Sequence, residues 1–345
     1  MRSLGSLRLL ARGRTLPHLQ SAQWHQHNLA VILQPSSLKD LARGLSHACA
    51  LGEPVERVDL TALNHVVGHA PADMTVTVEA GLALAALQRE LAGRGQWLPV
   101  DPPAPERLTI RELLEENSSG PRRFGYGTVR DYLIGLKVVL PDGRIISSGG
   151  KVVKNVAGYD LAKLFIGSRG TLGIVAEATF KLRPRPDAEK FVQARIGSLE
   201  KGRALIESVL DSELVPVVLD LHNLSASVAP PSGGFTVVLG FAGTAEDVDW
   251  QIARSAELGI SDPSNLAYEK TFWDGSPAQR LAVLPSRLVD ELTRLDRAPF
   301  VARAGNGVIY HRAGLKASRT ELPVKLIRRL KDAFDPKRTL PELPA

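Results

Sequence analysis

The chain of 345 residues contains a single cysteine, Cys49. One cysteine excludes an internal disulfide framework, a multi-cysteine zinc site and a four-cysteine iron–sulfur cluster within this chain. We interpret Cys49, at the end of an amphipathic segment, as a small buried apolar residue. Any redox chemistry would therefore use a bound organic cofactor or the metal centre of a partner.

Aromatic residues and long apolar runs are also scarce. Only 5% of the residues are aromatic, and no apolar run is long enough to span a bilayer. The formal net charge is +6, but the basic residues are spread along the chain without a tract of five or more. A base-stacking nucleic-acid surface is therefore not expected, and the 44% hydrophobic content describes a soluble globular protein.

The first 28 residues contain arginine and leucine but no acidic residue, because the first acidic residue of the chain is Asp40. This composition resembles a mitochondrial transit peptide. The alternative, which we favour, is an over-extended start of a bacterial gene. We predict that this extension is poorly ordered. The expected location is the cytoplasm, with the inner membrane reached only through partner subunits.

The length of the chain favours two domains. Pro184 and Pro186 mark the predicted boundary. Beyond it, strands and helices alternate, which predicts an α+β domain with one antiparallel sheet. Two hairpin turns are predicted, at Pro141-Asp142-Gly143 and at Gly305-Asn306-Gly307. The predicted units are an extension over 1–28, a first domain over 29–186 and a second over 187–345.

The stretch from Ser118 to Pro186 places glycines between apolar, β-rich segments. Glycine is needed where the backbone reaches positive φ or comes close to a ligand. The pattern predicts a ligand-binding sheet, although ordinary hairpin geometry is the alternative. The glycines form three clusters: Gly120, Gly125 and Gly127; Gly149 and Gly150; and Gly167, Gly170 and Gly173.

The motifs TVTVEAG, SGPRRFGYGTVRDYLIG and GGKVVKNVAGYDLAKLFIGSRGTLGIVAEATFKLRP occur in this order. Together they resemble the FAD-binding domain of the vanillyl-alcohol oxidase / p-cresol methylhydroxylase superfamily. Within it, the chain is most similar to the FAD-binding subunits of bacterial glycolate oxidases. The resemblance covers Ala30 to Pro186 and extends more loosely to Leu340. It implies an α+β fold, with a two-part FAD-binding domain followed by an α+β cap domain that has an antiparallel sheet.

The resemblance also implies which residues hold FAD, non-covalently because no histidine or cysteine lies at an attachment position. A loop would meet the pyrophosphate and flavin, and a turn with its strand would meet the adenosine or flavin edge. Arg122, Arg123 and Arg130 would neutralise phosphate. Gly158, Tyr159 and Asp160 would support the same wall. The implied contacts are Ser119, Gly120, Gly125, Tyr126, Gly127, Thr128, Asp131, Gly170, Gly173, Ile174 and Val175.

The chain departs from the family at two places that contact the diphosphate in relatives. A glycine-rich phosphate loop is missing where ALGEPV runs into ERVDLTALNHV, and RELLEEN replaces a glycine pair after Thr109-Ile110.

The resemblance and these departures together leave two alternative functions for the chain. The first is an FAD-dependent oxidoreductase or the FAD-binding subunit of a 2-hydroxy-acid (glycolate-like) dehydrogenase complex, with hydride passing to flavin N5. Its partners would be a catalytic flavin subunit and an iron–sulfur subunit. The alternative is a non-catalytic scaffold subunit that has lost FAD.

No catalytic residue is predicted with a definite role. Arg303 lies where the family often has a histidine before Ala-Gly-Asn-Gly, and it is interpreted either as a clamp for a substrate carboxylate or as an exposed strand residue. His65 and His69 have the spacing of metal ligands only on a helix. Because Gly68 and Pro71 predict a connecting loop here, no metal site is expected.

Overall fold

The structure is a computed structural model. It describes residues 8–9, 31–150, 161–224, 234–275, 277–314 and 324–342. Most of the GKVVKNVAGYD motif, including Gly158, Tyr159 and Asp160, lies outside the described residues.

The first half of the chain begins with a β-α-β unit. Strands β2 and β3 are parallel and are joined by helix α1, whose first turn is capped by the Ser37 hydroxyl, which accepts a hydrogen bond from the Asp40 N–H. The elements are β1 (Arg8–Leu9), β2 (Val31–Leu33), α1 (Leu38–Leu51), β3 (Val55–Val58), β4 (Val66–Ala70), β5 (Thr75–Glu79), α2 (Leu84–Ala92), β6 (Gln96–Trp97), α3 (Ile110–Glu116), α4 (Arg123–Tyr126), α5 (Val129–Tyr132), β7 (Leu133–Val139), β8 (Ile145–Gly149), α6 (Ala162–Phe165), β9 (Ile174–Lys181) and β10 (Arg183–Pro184).

A five-stranded antiparallel sheet follows the β-α-β unit, in the order β4-β5-β9-β7-β8. The predicted hairpin at Pro141-Asp142-Gly143 is confirmed, since β7 and β8 pair on either side of it and Gly143 has a φ of +86°. The segment with His65 and His69 was predicted as a loop, but His69 lies in strand β4, which begins directly after His65. The prediction was wrong because β4 pairs with the alternating TVTVE strand, and a register shift next to Gly68 accommodates the glycine.

The second half forms a seven-stranded antiparallel sheet in the order β14-β11-β13-β12-β16-β17-β15, which confirms the predicted α+β fold with an antiparallel sheet. The turn at Gly305-Asn306-Gly307 joins β16 and β17 as predicted. The elements are β11 (Ala188–Ile196), α7 (Leu199–Leu210), β12 (Val218–His222), β13 (Phe235–Gly243), α8 (Ala245–Glu257), β14 (Asp262–Pro263), α9 (Ala267–Trp273), β15 (Gln279–Ala282), α10 (Leu288–Arg294), β16 (Phe300–Arg303), β17 (Val308–His311) and α11 (Val324–Phe334).

The two faces of this sheet are covered differently. Alternate residues of β13, such as Val237 and Leu239, join a core with α7, α8 and α10. Val238 points to the opposite face, where it packs with Tyr268 and Phe272 of α9. Because side chains alternate between faces along a strand, the face under α9 also receives every second residue of β12 and β16.

The C-terminal segment returns to the first half of the molecule. Leu340 belongs to the core of that half, and the rings of Phe165 and Phe334 pack edge to face with centroids 5.8 Å apart. The Lys331 ammonium is buried and donates to the Asp335 carboxylate at 2.7 Å. The boundary near Pro186 remains a prediction. None of the helices in the described ranges is long and apolar enough to cross a membrane.

Candidate functional site

Helix α3 connects the parts of the chain that the sequence predicts as a ligand site. At its carboxyl end, the Ser118 N–H donates to the Leu113 carbonyl at 3.2 Å, immediately before the predicted loop. The Gly167 N–H donates to the Leu114 carbonyl at 2.9 Å, and the Arg169 N–H donates to that of Glu115 at 3.0 Å. The predicted clusters around residues 119–131 and 170–175 therefore both attach to α3.

The first cluster is a tightly folded loop. The Ser119 hydroxyl accepts a hydrogen bond from Arg123 Nη1 at 3.0 Å. A Cβ at Gly120 would lie 1.8 Å from the Asp101 carbonyl oxygen, so only glycine fits there. Tyr126 packs edge to face on Trp97 with centroids 5.1 Å apart. Gly125 packs against Val217, and Gly127 packs against the carboxylate of Asp131. The loop ends where Thr128 caps α5, and the Thr128 N–H donates to the Asp131 carboxylate at 2.8 Å.

The second cluster packs against α3 and β7. Gly170 has a φ of +72°, and a Cβ there would lie 3.2 Å from both carboxylate oxygens of Glu115. Ile174 and Val175 pair with Val139 and Val138 in the sheet. At Gly170, the side chain of Glu115 therefore occupies the space beside the glycine backbone. The contact of both clusters with a cofactor stays a prediction.

The three arginines predicted to neutralise phosphate have different surroundings. Arg122 forms two parallel hydrogen bonds of 2.6 Å to Glu189 and one of 3.0 Å to Asp101. Its charge is therefore committed to two carboxylates. Arg123 has a buried Nε with no hydrogen-bond partner among the described residues. Arg130 is exposed and donates to the Lys163 carbonyl at 3.4 Å.

A cleft of about 1040 Å³ separates the two halves. Trp97 and Val100 from the first half and Trp273 from the second contribute apolar surface to it. Asp101 lines it with a side chain that is 16% exposed, and burial raises the pKa of this carboxyl to about 6 although Arg122 opposes the shift. The remaining polar lining includes Arg89, Glu106, Arg107, Arg185, Asp187, Glu189, Glu269, Lys270 and Asp274.

Arg303 fits neither of its predicted interpretations. Its side chain is 1% exposed, so it is not a surface residue, and it makes two hydrogen bonds to the Glu269 carboxylate at 2.8 and 2.7 Å. It also contacts Asp220, which accepts a hydrogen bond from the Tyr268 hydroxyl at 2.6 Å. The interpretation as a substrate clamp was wrong because the side chain is buried and protein carboxylates already bind both of its Nη atoms.

Arg111 and Glu115 were not predicted as site residues. Arg111 Nη1 donates to the carbonyl of Val58, the last residue of β3, at 2.8 Å, and its Nε lies 3.6 Å from Glu115. Burial raises the pKa of Glu115 to about 7. Thr109 and Glu112 start α3 with reciprocal hydrogen bonds. The spacing Thr-x-x-Glu was the sequence signal for this helix.

Comparison with known proteins agrees with this fold. Residues 41–149 match the family described as FAD binding domain. The structure of an alkyldihydroxyacetonephosphate synthase superposes with a TM-score of 0.71 at 18% identity, over 92% of this chain and 78% of that one. Residues 41–149 are therefore similar to an FAD binding domain, and the chain shares the fold of this synthase.

Curated relatives point in the same direction. The chain is 39% identical to glycolate oxidase subunit GlcD of Bacillus subtilis over 158 residues, or 46% of this chain and 34% of that protein. It is 34% identical to glycolate oxidase subunit GlcE of Escherichia coli over 161 residues, or 46% of each. A probable mitochondrial D-lactate dehydrogenase of Danio rerio is 32% identical over 58% of this chain and 42% of that protein. The aligned part spans less than half the length of each relative.

FAD is the cofactor of this domain family, and the described residues fit it in two respects. The cleft has the size of a site for a large organic ligand, with indole rings of Trp97 and Trp273 on its walls. A guanidinium, that of Arg111, stands at the carboxyl end of a parallel strand, where anionic parts of nucleotide ligands bind in α/β units.

Proposed function

We propose that the chain is an FAD-dependent oxidoreductase of 2-hydroxy acids, or the FAD-binding subunit of a complex that oxidises them. The observation that carries this proposal is the position of Asp101. It is a largely buried carboxyl with a pKa of about 6, on the wall of a cleft between an FAD binding domain and an antiparallel α+β domain. Shifted carboxyls in clefts are typical of proton-transfer sites.

In this proposal each group of the cleft has a separate role. FAD, when bound, supplies a two-electron acceptor for the hydrogen on the α-carbon. The Asp101 carboxylate accepts the proton of the substrate hydroxyl. The hydrogen bond from Arg122 to Asp101 fixes the orientation of this carboxylate. Arg185 and Lys270 line the same cleft without an ion-pair partner in the described part of the chain. Their charges favour a substrate that carries a carboxylate.

The substrate class and the partners are inferred from relatives. The proteins named as glycolate oxidase subunits and as a D-lactate dehydrogenase share one feature, a small 2-hydroxy-acid substrate in their names. The word subunit in two of these names supports assembly into a multi-subunit complex, and we propose a catalytic flavin subunit and an iron–sulfur subunit as its other members. The single cysteine fits this division, because an iron–sulfur cluster then belongs to another chain.

The test is anaerobic reduction of FAD bound to the purified protein. Glycolate and each enantiomer of lactate are added in turn, alone and with the co-expressed partner subunits, and acetate serves as the control without a hydroxyl. We expect the blue absorbance of the oxidised flavin to disappear with at least one hydroxy acid and to persist with acetate. Bound flavin that no hydroxy acid reduces under either condition would contradict the proposal.

A second candidate function rests on one observation. The Glu115 carboxylate faces Gly170 inside the predicted site, and negative charge there disfavours a phosphate group. This favours a scaffold subunit that has lost FAD. A purified chain that acquires no flavin after incubation with FAD, yet still stabilises its partners, would support the scaffold.

A further inference from the structure

The Arg111 side chain connects the two places at which the chain departs from its family. Arg111 itself stands in the RELLEEN segment that replaces the glycine pair. Its guanidinium binds the Val58 carbonyl, at the end of β3, where the glycine-rich loop is missing. One side chain on α3 therefore occupies the junction of both departures.

This junction is the carboxyl edge of a parallel strand pair. β2 and β3 run parallel around α1, and the Asp59 N–H donates to the Leu33 carbonyl at 2.8 Å, so both strands end side by side. In parallel α/β units, ligands bind outside the carboxyl ends of the strands. An arginine at this edge presents a planar set of N–H donors that matches phosphate oxygens.

Neither the carboxylate that follows β3 nor Glu115 makes a hydrogen bond to Arg111 in the described part of the chain. Asp59, which follows β3, accepts hydrogen bonds from the Thr61 N–H at 3.0 Å and from Gln34 at 3.3 Å. Glu115 is 3.6 Å from Arg111 Nε, beyond hydrogen-bond distance, and its Oε1 has no partner among the described residues. Arg111 and Glu115 therefore form an ion pair with poor hydrogen-bond geometry.

We propose that Arg111 binds the diphosphate of FAD in place of the missing glycine-rich loop, with Glu115 as the group that weakens this binding. The proposal rests on the proposed function, because it requires that the chain holds FAD. One guanidinium would take the place of several backbone N–H donors, because it supplies both hydrogen-bond donors and a positive charge.

The test compares ligands with and without a diphosphate. Affinities for FAD, ADP and riboflavin are measured with wild-type protein, Arg111→Met, Arg111→Lys, Glu115→Gln and the control Arg57→Met. Arg57 is an exposed cation on β3, close in sequence to the proposed site. Flavin fluorescence reports FAD and riboflavin binding, and calorimetry reports ADP binding. Thermal unfolding establishes that each variant is folded.

We expect Arg111→Met to weaken FAD and ADP binding roughly 10- to 100-fold, the effect of losing one charge-assisted hydrogen bond, and to leave riboflavin binding unchanged. Arg111→Lys should lose less, and Glu115→Gln should bind FAD more tightly than wild type. Arg57→Met should match wild type. If Arg111→Met fails to fold, the FAD affinities of Arg111→Lys and Glu115→Gln, compared with wild type, test the proposal.

Three results would overturn the proposal. FAD affinity unchanged in Arg111→Met would show that Arg111 does not contact the diphosphate. Higher affinity would show that Arg111 fills the site instead of binding the cofactor. An equal loss of FAD and riboflavin would show a general collapse of the site. A wild-type protein that binds no FAD contradicts the proposed function itself, which separates that failure from the other three.

Discussion

Asp220 and Arg303 are directly opposite each other on the antiparallel strands β12 and β16, and both side chains are 1% exposed. The Glu269 carboxylate of α9 also pairs with Arg303 and accepts two hydrogen bonds from it. The group lies on the sheet face covered by α9, next to the stacked rings of His222 and Tyr268. Burial lowers the pKa of His222 to about 4, so this histidine is neutral at pH 7.

Arg303→Met should destabilise the protein severely. The substitution leaves the carboxylates of Asp220 and Glu269 without their cation, and breaking a buried ion pair from one side costs about 3–5 kcal/mol. Urea unfolding at pH 7 measures the loss. Arg195→Met, at an exposed position of β11, is the control and should change the free energy of unfolding by less than about 0.5 kcal/mol. An equally mild effect at both positions would show that the Arg303 ion pairs are energetically unimportant.

Asp101 should set the acidic limb of the pH–rate profile. A proton acceptor must be ionised, so kcat/KM should be constant above the Asp101 pKa of about 6 and should fall as the pH drops below it. Asp101→Asn should reduce kcat by roughly 10²- to 10⁴-fold, as removal of a general base does. Glu106→Gln, at an exposed carboxyl of the same cleft, should keep the wild-type limb. An unchanged limb in Asp101→Asn would assign the proton transfer to another group.

Glu115 should make stability depend on pH. Its pKa is about 7 in the folded protein and 4.5 as the ordinary value, so the folded state binds the proton more tightly. The free energy of unfolding should therefore fall as the pH rises from about 4.5 to about 7. Glu115→Gln carries no charge and should be more stable than wild type at pH 8, by up to about 3 kcal/mol. Unfolding curves at pH 5 and pH 8 test this, and parallel pH dependences of the two proteins would contradict it.

Lys331 should anchor the C-terminal helix to the first half of the molecule. Its ammonium donates to Asp335 at 2.7 Å and to the carbonyls of Thr171 and Leu340 at 2.9 Å each. Lys331→Met leaves the buried Asp335 carboxylate without its cation, which costs about 3–5 kcal/mol. Limited proteolysis should then cleave near α11 sooner. Lys325→Met, exposed on the same helix, should behave like wild type.

Local signals in the sequence predicted much of the fold. The Pro-Asp-Gly and Gly-Asn-Gly turns predicted two hairpins correctly, because turn chemistry is encoded in adjacent residues. The helix over Ile110–Glu116 was missed although Thr109 and Glu112 have capping-box spacing. The family pattern has glycines at this place, whereas the residues of this chain form a capped helix.

The candidate site was harder to predict, because its key contacts join distant segments. Arg303 is buried only because β16 pairs with β12 and α9 covers that face. Asp101 and Arg122 are 21 residues apart in the sequence, and the pKa of Asp101 depends on burial that no local pattern reveals. Arg111 is a candidate only because α3 lies against the end of β3, a contact between segments 53 residues apart.

Equilibrium dialysis of the purified protein against FAD tests most directly whether this chain holds the cofactor. We predict that the protein retains close to one FAD per chain and shows the absorbance bands of bound flavin, and that excess ADP competes with FAD for the site. A protein that stays colourless at saturating FAD would contradict the account and favour a scaffold subunit.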